Sequence, residues 1–163
     1  MTKNNEHHFQ PMRSPEKSVS RVTINGAMMG SLFFILTLIW TLGPEKFNIF
    51  IIGQLVLAIP LLFISSLSYA KIGYRDKWHW FNKFGWITTT LGNNFILNVA
   101  GLMAGKFYRE LAYVYFALVI VLVTIYYLIN ILHSNESLTE ELIKLAIVLL
   151  IVILGGILPL VLM

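Results

Sequence analysis

Amide and hydroxyl side chains recur along one apolar segment, and they offer more chemistry than any other residues of the chain. Thr90, Asn94, Asn98, Gly101 and Gly105 follow one another at steps of 4, 4, 3 and 4 residues. This spacing places them on one face of a helix. Side-chain amides both donate and accept hydrogen bonds, and in an apolar medium those groups need partners.

Two interpretations of this polar face stay open. In the first, its amides and hydroxyls form hydrogen bonds to neighbouring helices. In the second, they line a path for a small neutral or weakly charged solute, because neutral oxygens can replace part of a hydration shell. Polar residues of the flanking apolar segments extend the stripe, which as a whole comprises Thr90, Asn94, Asn98, Gln54, Thr124 and Tyr127.

The sequence has few of the residue patterns that are typical of catalysis or metal binding. The chain has no cysteine, no His-Glu-x-x-His and no Gly-x-Ser-x-Gly sequence, so thiolate chemistry is excluded and two common hydrolase signatures are missing. Its histidines lack the spacing of helical metal ligands. Lys144 is the one ionisable residue inside an apolar stretch, and we expect no buried carboxylate. The sequence therefore predicts neither an enzyme nor a bound metal or cofactor.

Five apolar stretches must position these residues, at about 23–43, 47–69, 84–105, 111–132 and 142–163. About 20 mostly apolar residues suffice for a helix to cross the hydrocarbon of a bilayer. Hydrophobic residues make up 57% of the chain and charged residues only 12%. We predict an all-α polytopic membrane protein, with a mobile cytoplasmic tail at 1–22 and a five-helix transmembrane bundle at 23–163.

Lysine and arginine residues predict the orientation of this bundle. The N-terminal tail and the second connection carry four each and the fourth connection one, against one and two in the first and third. Basic residues concentrate on the cytoplasmic side. The sequence thus predicts a multi-pass plasma-membrane protein with its N-terminus in the cytoplasm and its C-terminus outside.

Small residues and aliphatic residues predict how the helices associate. Gly26 and Gly30, like Gly101 and Gly105, are four residues apart, a spacing that lets two helices approach closely in lipid. The fifth stretch is almost purely aliphatic before Gly155. With few polar groups to shield, it is predicted to be the most lipid-exposed helix.

Basic and aromatic residues of the second connection predict contact with anionic lipid headgroups. They are Lys71, Arg75, Lys77, Lys83, Trp78 and Trp80. The predicted partners are therefore membrane lipids, together with a second copy or another membrane protein, and not nucleic acid. Two functions remain: a non-enzymatic structural or accessory membrane protein, or an oligomeric transporter or channel protomer that uses the polar stripe.

Overall fold

The structure, a computed structural model, describes residues 15–71, 78–133 and 138–162. These residues form helices and short connections, without a strand among them. In chain order the helices are α1 (Pro15–Leu42), α2 (Ile49–Lys71), α3 (Trp78–Phe107), α4 (Arg109–His133), α5 (Leu138–Val152) and α6 (Leu158–Leu162). A 3-10 turn at Pro44–Lys46 follows α1, and a π-helical turn at Ile153–Ile157 joins α5 to α6.

Short connections make α1 and α2 antiparallel, and likewise α3 and α4. Between α1 and α2 the chain turns at Gly43, whose φ of 98° suits a residue without a Cβ. Asn48 then accepts the Phe50 main-chain N–H at 3.0 Å, which caps the start of α2. Between α3 and α4 a single residue, Tyr108, lies outside the helices. The start of α1 and the end of α2 therefore lie at one end of the bundle, called here the Arg21 end.

Four helical segments are long and apolar enough to cross a membrane: Ser18–Leu42, Ile49–Lys71, Arg109–His133 and Leu138–Leu162. The all-helical prediction is confirmed, and the chain has the character of a helical membrane protein. The third predicted span corresponds to α3, which has 30 residues but does not reach the same apolarity. The amides and threonines of the polar stripe lower its hydropathy.

The largest differences between the helix boundaries and the predicted spans are at the starts of α1 and α3. α1 begins at Pro15, so residues 15–22 of the predicted tail are helical, and residues 1–14 lie outside the described part of the chain. α3 begins at Trp78 instead of Phe84. The aromatic and basic residues before Phe84 therefore form its first turns.

The core lies where α3 packs against α2 and against α1, α4 and α5. Leu55 and Leu62 of α2 and Leu102 of α3 are fully buried, and Val99 is 1% exposed. Large apolar side chains such as Phe34 and Leu122 are instead more than half exposed. An apolar surface around a buried, partly polar centre is the arrangement expected of a bundle that faces lipid.

The prediction that the fifth helix is the most lipid-exposed is wrong. In its most apolar stretch 28% of the residues are buried, against 17% in α1 and in α4. Val148 and Val152 are buried, and Leu160 of α6 packs on Gly105 of α3. The prediction failed because main-chain carbonyl groups of this segment form part of the polar centre, and aliphatic side chains give no indication of such a role.

Candidate functional site

The polar centre of the bundle is a set of side-chain amides that joins three helices. Asn98 of α3 is completely buried. Its Nδ2 donates to Gln54 Oε1 of α2 at 3.1 Å and to the carbonyl oxygen of Ile151 in α5 at 3.2 Å. Gln54 Nε2 donates in turn to the Gly155 carbonyl oxygen at 2.8 Å. We call Gln54, Asn98 and these two carbonyl groups the amide clamp.

The π-helical turn supplies one carbonyl group of the amide clamp, that of Gly155, and the other, that of Ile151, lies in α5 two residues before the turn. A π-helical turn widens the helix and disturbs the regular i to i−4 pairing, so carbonyl oxygens become available to side chains. The Asn98 amide nitrogen donates to Gln54 Oε1 and to the Ile151 carbonyl oxygen, and these two bonds fix the orientation of the amide. In the reversed orientation the amide oxygen of Asn98 would face two other oxygens.

Glycine at 155 and 156 leaves the space that the clamp occupies. A Cβ at Gly155 would overlap the Asn98 amide nitrogen and would lie 3.0 Å from Gln54 Oε1. A Cβ at Gly156 would overlap the Phe116 ring and would lie 2.9 Å from Asn98 Oδ1. The surroundings of Asn98 are therefore closely filled by α4 and the π-helical turn.

The other side-chain amides on the polar face of α3 have fewer hydrogen-bond partners. Asn94 is 5% exposed, and its Nδ2 donates at 2.7 Å to the Thr90 carbonyl oxygen of its own helix. The side-chain oxygens of Asn93, Asn94 and Asn98 are buried and have no hydrogen-bond donor among the described residues. Unpaired buried acceptors cost free energy, roughly 1 to 3 kcal/mol each, so these oxygens mark the part of the stripe that packing alone does not explain.

Thr124 and Tyr127, the α4 members of the predicted stripe, stay apart from these amides. Thr124 Oγ1 donates to the Ile120 carbonyl oxygen of its own helix at 2.8 Å. Tyr127 is buried beside Tyr126, with the two rings edge to face. In the described part of the chain, no hydrogen bond links either side chain to the α3 amides. The structure thus brings Gln54 and Asn98 together and leaves the α4 residues separate.

A second polar cluster joins α1, α2 and α3 nearer the Arg21 end. Asn25 is 1% exposed, and its Nδ2 donates to Ser65 Oγ at 3.1 Å. Ser65 donates to the Gly85 carbonyl oxygen at 3.0 Å and makes a short contact with Thr89. Asn25 is not part of the predicted polar stripe, although it is the only amide within the first apolar stretch.

The four packing glycines fall into two groups. A Cβ at Gly101 would lie 2.5 Å from Phe116 Cζ, and one at Gly105 would lie 2.5 Å from Leu160 Cδ1. Glycine at 101 therefore allows the aromatic rings of α4 to pack closely on α3, whereas a Cβ at 105 would need only a shift of the end of the Leu160 side chain. At Gly26 and Gly30 nothing lies within 4 Å of an added Cβ, so no described helix of this chain packs there.

Contrary to prediction, the bundle buries a carboxylate. Glu141 in the first turn of α5 is 4% exposed. Lys144 Nζ donates to its Oε1 at 2.7 Å and lies 5.8 Å from the centre of the Trp86 ring of α3. Glu141 Oε2 is buried without a hydrogen-bond donor in the described residues. Its position seven and eleven residues before the buried Val148 and Val152 is the sequence signal that places it on the inward face.

The predicted headgroup-binding residues are only partly described. Lys71, Lys83 and Trp80 are exposed, with Trp80 at 73%. Trp78 is the first residue of α3, and its side chain is outside the description. Arg75 and Lys77 lie in the stretch 72–77, which the structure does not describe.

Comparison with family models, with curated proteins and with solved structures finds no match for this chain.

Proposed function

We propose that this small membrane protein is a non-enzymatic accessory protein that acts through contacts with partner helices and lipids. The observation that carries the proposal is Asn98, whose amide hydrogens are both used by α2 and α5 in a closely filled interior. The most prominent polar residue therefore holds helices together. We further propose five spans, with α3 as the third, and a plasma-membrane location with the N-terminus in the cytoplasm.

The open face of α1 supports a role in contact with other membrane proteins. α1 is among the least buried of the apolar helices. Its hydroxyl groups at Ser31, Thr37 and Thr41 each donate to a carbonyl oxygen of α1 itself. With those groups satisfied, Gly26 and Gly30 offer a smooth surface on which a partner helix or a second copy packs closely.

One observation favours the alternative of an oligomeric transporter or channel protomer. The side-chain oxygens of Asn93, Asn94 and Asn98 lack donors among the described residues. Acceptors of this kind suit a small solute that donates hydrogen bonds. The polar stripe Thr90, Asn94, Asn98, Gln54, Thr124 and Tyr127 would then supply the path.

Photocrosslinking in native membranes tests the accessory function. A photoreactive amino acid at Phe34, which is 72% exposed on α1, is expected to give a discrete adduct with a second protein. The same amino acid at Phe116, which is 2% exposed, is the matched control and should react only within the chain.

Flux measurements on purified protein in liposomes test the alternative function as a transporter or channel protomer. We expect glycerol, urea and monovalent cations to cross these liposomes no faster than protein-free ones, because Gly155, Gly156 and Phe116 fill the space around Asn98. A saturable flux that the Asn94→Leu variant abolishes, together with lipid adducts alone at Phe34, would refute the accessory role.

A further inference from the structure

We propose that α5 pivots at the π-helical turn and opens a water-filled cleft between α3 and α5 at the Arg21 end of the bundle. The cleft admits water as far as Asn94 and ends at the amide clamp. Two oxygens carry the proposal, Asn94 Oδ1 and Glu141 Oε2, which are buried without a hydrogen-bond donor among the described residues. The two residues are 5% and 4% exposed.

Both oxygens belong to the seam along which α3 and α5 run parallel. Near the start of both helices, Lys144 Nζ lies 5.8 Å from the centre of the Trp86 ring and pairs with Glu141. Further along, the Ile151 carbonyl oxygen of α5 accepts a hydrogen bond from Asn98 of α3. Asn94 precedes Asn98 by one turn and lies on the same face of α3. The unpaired oxygens are therefore on the Arg21 side of the clamp.

The neighbouring helices offer Asn94 no donor at this level. The buried residues that α5 presents just before the π-helical turn are Val148 and Val152, which have aliphatic side chains. Thr124 of α4 donates to the Ile120 carbonyl oxygen of its own helix. Buried polar atoms in folded proteins nearly always have a protein or water partner. Entry of water into the seam would supply the missing partner.

The π-helical turn at Ile153–Ile157 gives α5 a pivot. A π-helical turn interrupts the regular pairing of the main chain, and helices bend at such turns. Beyond the pivot, Leu160 packs on Gly105, and the Val161 carbonyl oxygen lies 3.3 Å from Arg109 Nη2. These contacts hold α6 in place. The 15 residues of α5 before the pivot can then move as one rod.

Charged groups at the start of α5 favour water over lipid in the opened cleft. The Lys144 side chain is 26% exposed, so solvent already reaches the ion pair with Glu141. A carboxylate oxygen without a donor is costly in hydrocarbon, and water satisfies it. At the other end of the seam, Asn98 and the Phe116 ring fill the space beside the glycines of the turn. The cleft is closed there, so water entry requires no flux through the protein.

Cysteine reactivity of the full-length protein in nanodiscs tests the proposal. The chain has no cysteine, so Val148→Cys places a unique thiol in the seam. A permanently charged methanethiosulfonate reagent reaches this thiol only from water. Leu62→Cys is the matched control, because Leu62 is fully buried between α2 and α3 and lies against Gly92, two residues before Asn94. We expect Val148→Cys to react at least about tenfold faster, because the α2–α3 core opens only in larger unfolding events.

A second pair of variants tests the pivot and its cause. Val152→Cys lies one turn nearer the pivot, moves less, and should react more slowly than Val148→Cys. Adding Asn94→Leu to Val148→Cys removes an unpaired oxygen from the closed seam and should slow the reaction by about tenfold. Circular dichroism of each variant verifies that it is folded.

Three results would overturn the proposal. The first is a Val148→Cys thiol that reacts as slowly as that of Leu62→Cys. The second is a reaction rate that Asn94→Leu leaves unchanged. The third is reaction with an apolar maleimide alone, because acyl chains and not water would then enter the seam.

Discussion

Replacement of Asn98 by leucine lowers the free energy of unfolding in detergent by about 2 to 4 kcal/mol if the amide clamp joins α2, α3 and α5. The variant loses two interhelical hydrogen bonds, each worth about 0.6 to 2 kcal/mol in membrane proteins. It also leaves Gln54 Oε1 and the Ile151 carbonyl oxygen without the donor that Asn98 supplies. Denaturant titration of the purified protein, followed by circular dichroism, measures the change.

Asn94→Leu is the matched control one helical turn away. Among the described residues, the amide of Asn94 bonds only to Thr90 of its own helix and its oxygen is unpaired. Its replacement should therefore leave stability within about 1 kcal/mol of the wild type or raise it. An Asn98→Leu variant as stable as Asn94→Leu would contradict the clamp and favour a solute path along α3.

Replacement of Lys144 by methionine should destabilise the protein by about 2 to 4 kcal/mol. Glu141 is 4% exposed, and Lys144 is its hydrogen-bonded cation at 2.7 Å. Removal of one partner of a buried pair leaves an uncompensated charge, which costs more than the pair contributes. Because the Lys144 side chain is 26% exposed, water screens part of the effect and the expected loss is below that of a fully buried pair.

The double variant Glu141→Gln/Lys144→Met separates the charge from the packing. With both charges removed, the stability should recover to within about 1 kcal/mol of the wild type, because a neutral side chain replaces the buried carboxylate. The same unfolding measurement applies. If the double variant is as unstable as Lys144→Met, then the lysine stabilises the protein through a contact other than its ion pair with Glu141.

Periodicity made much of the fold predictable from the sequence. The long apolar stretches determine the helices, and the steps of three and four residues on α3 placed Asn94 and Asn98 on a buried face. The polar residue Gln54 of the neighbouring helix was a sound candidate partner, since a buried amide needs a donor or acceptor nearby. These inferences depend on local spacing, which a sequence displays directly.

The packing of one helix on another was harder to predict from the sequence. The glycine pairs of α1 and α3 have the same spacing, yet only Gly101 and Gly105 meet another described helix. The role of Gly155 depends on main-chain carbonyl groups at a π-helical turn, and no side-chain pattern reports these. The burial of Glu141 was not predicted, because this residue lies in the first turn of α5, where depth depends on packing against α3 and α4.

The most direct test of the central claim asks whether α3, with its amides turned inward, crosses the membrane. The chain has no cysteine, so Trp80→Cys and Tyr108→Cys each introduce a unique thiol, at positions that are 73% and 72% exposed near opposite ends of α3. A membrane-impermeant maleimide added to intact cells should label the cysteine at 108 and should reach the one at 80 only after permeabilisation. Labelling of both cysteines from the same side would show that α3 does not span the bilayer and would contradict the five-span arrangement.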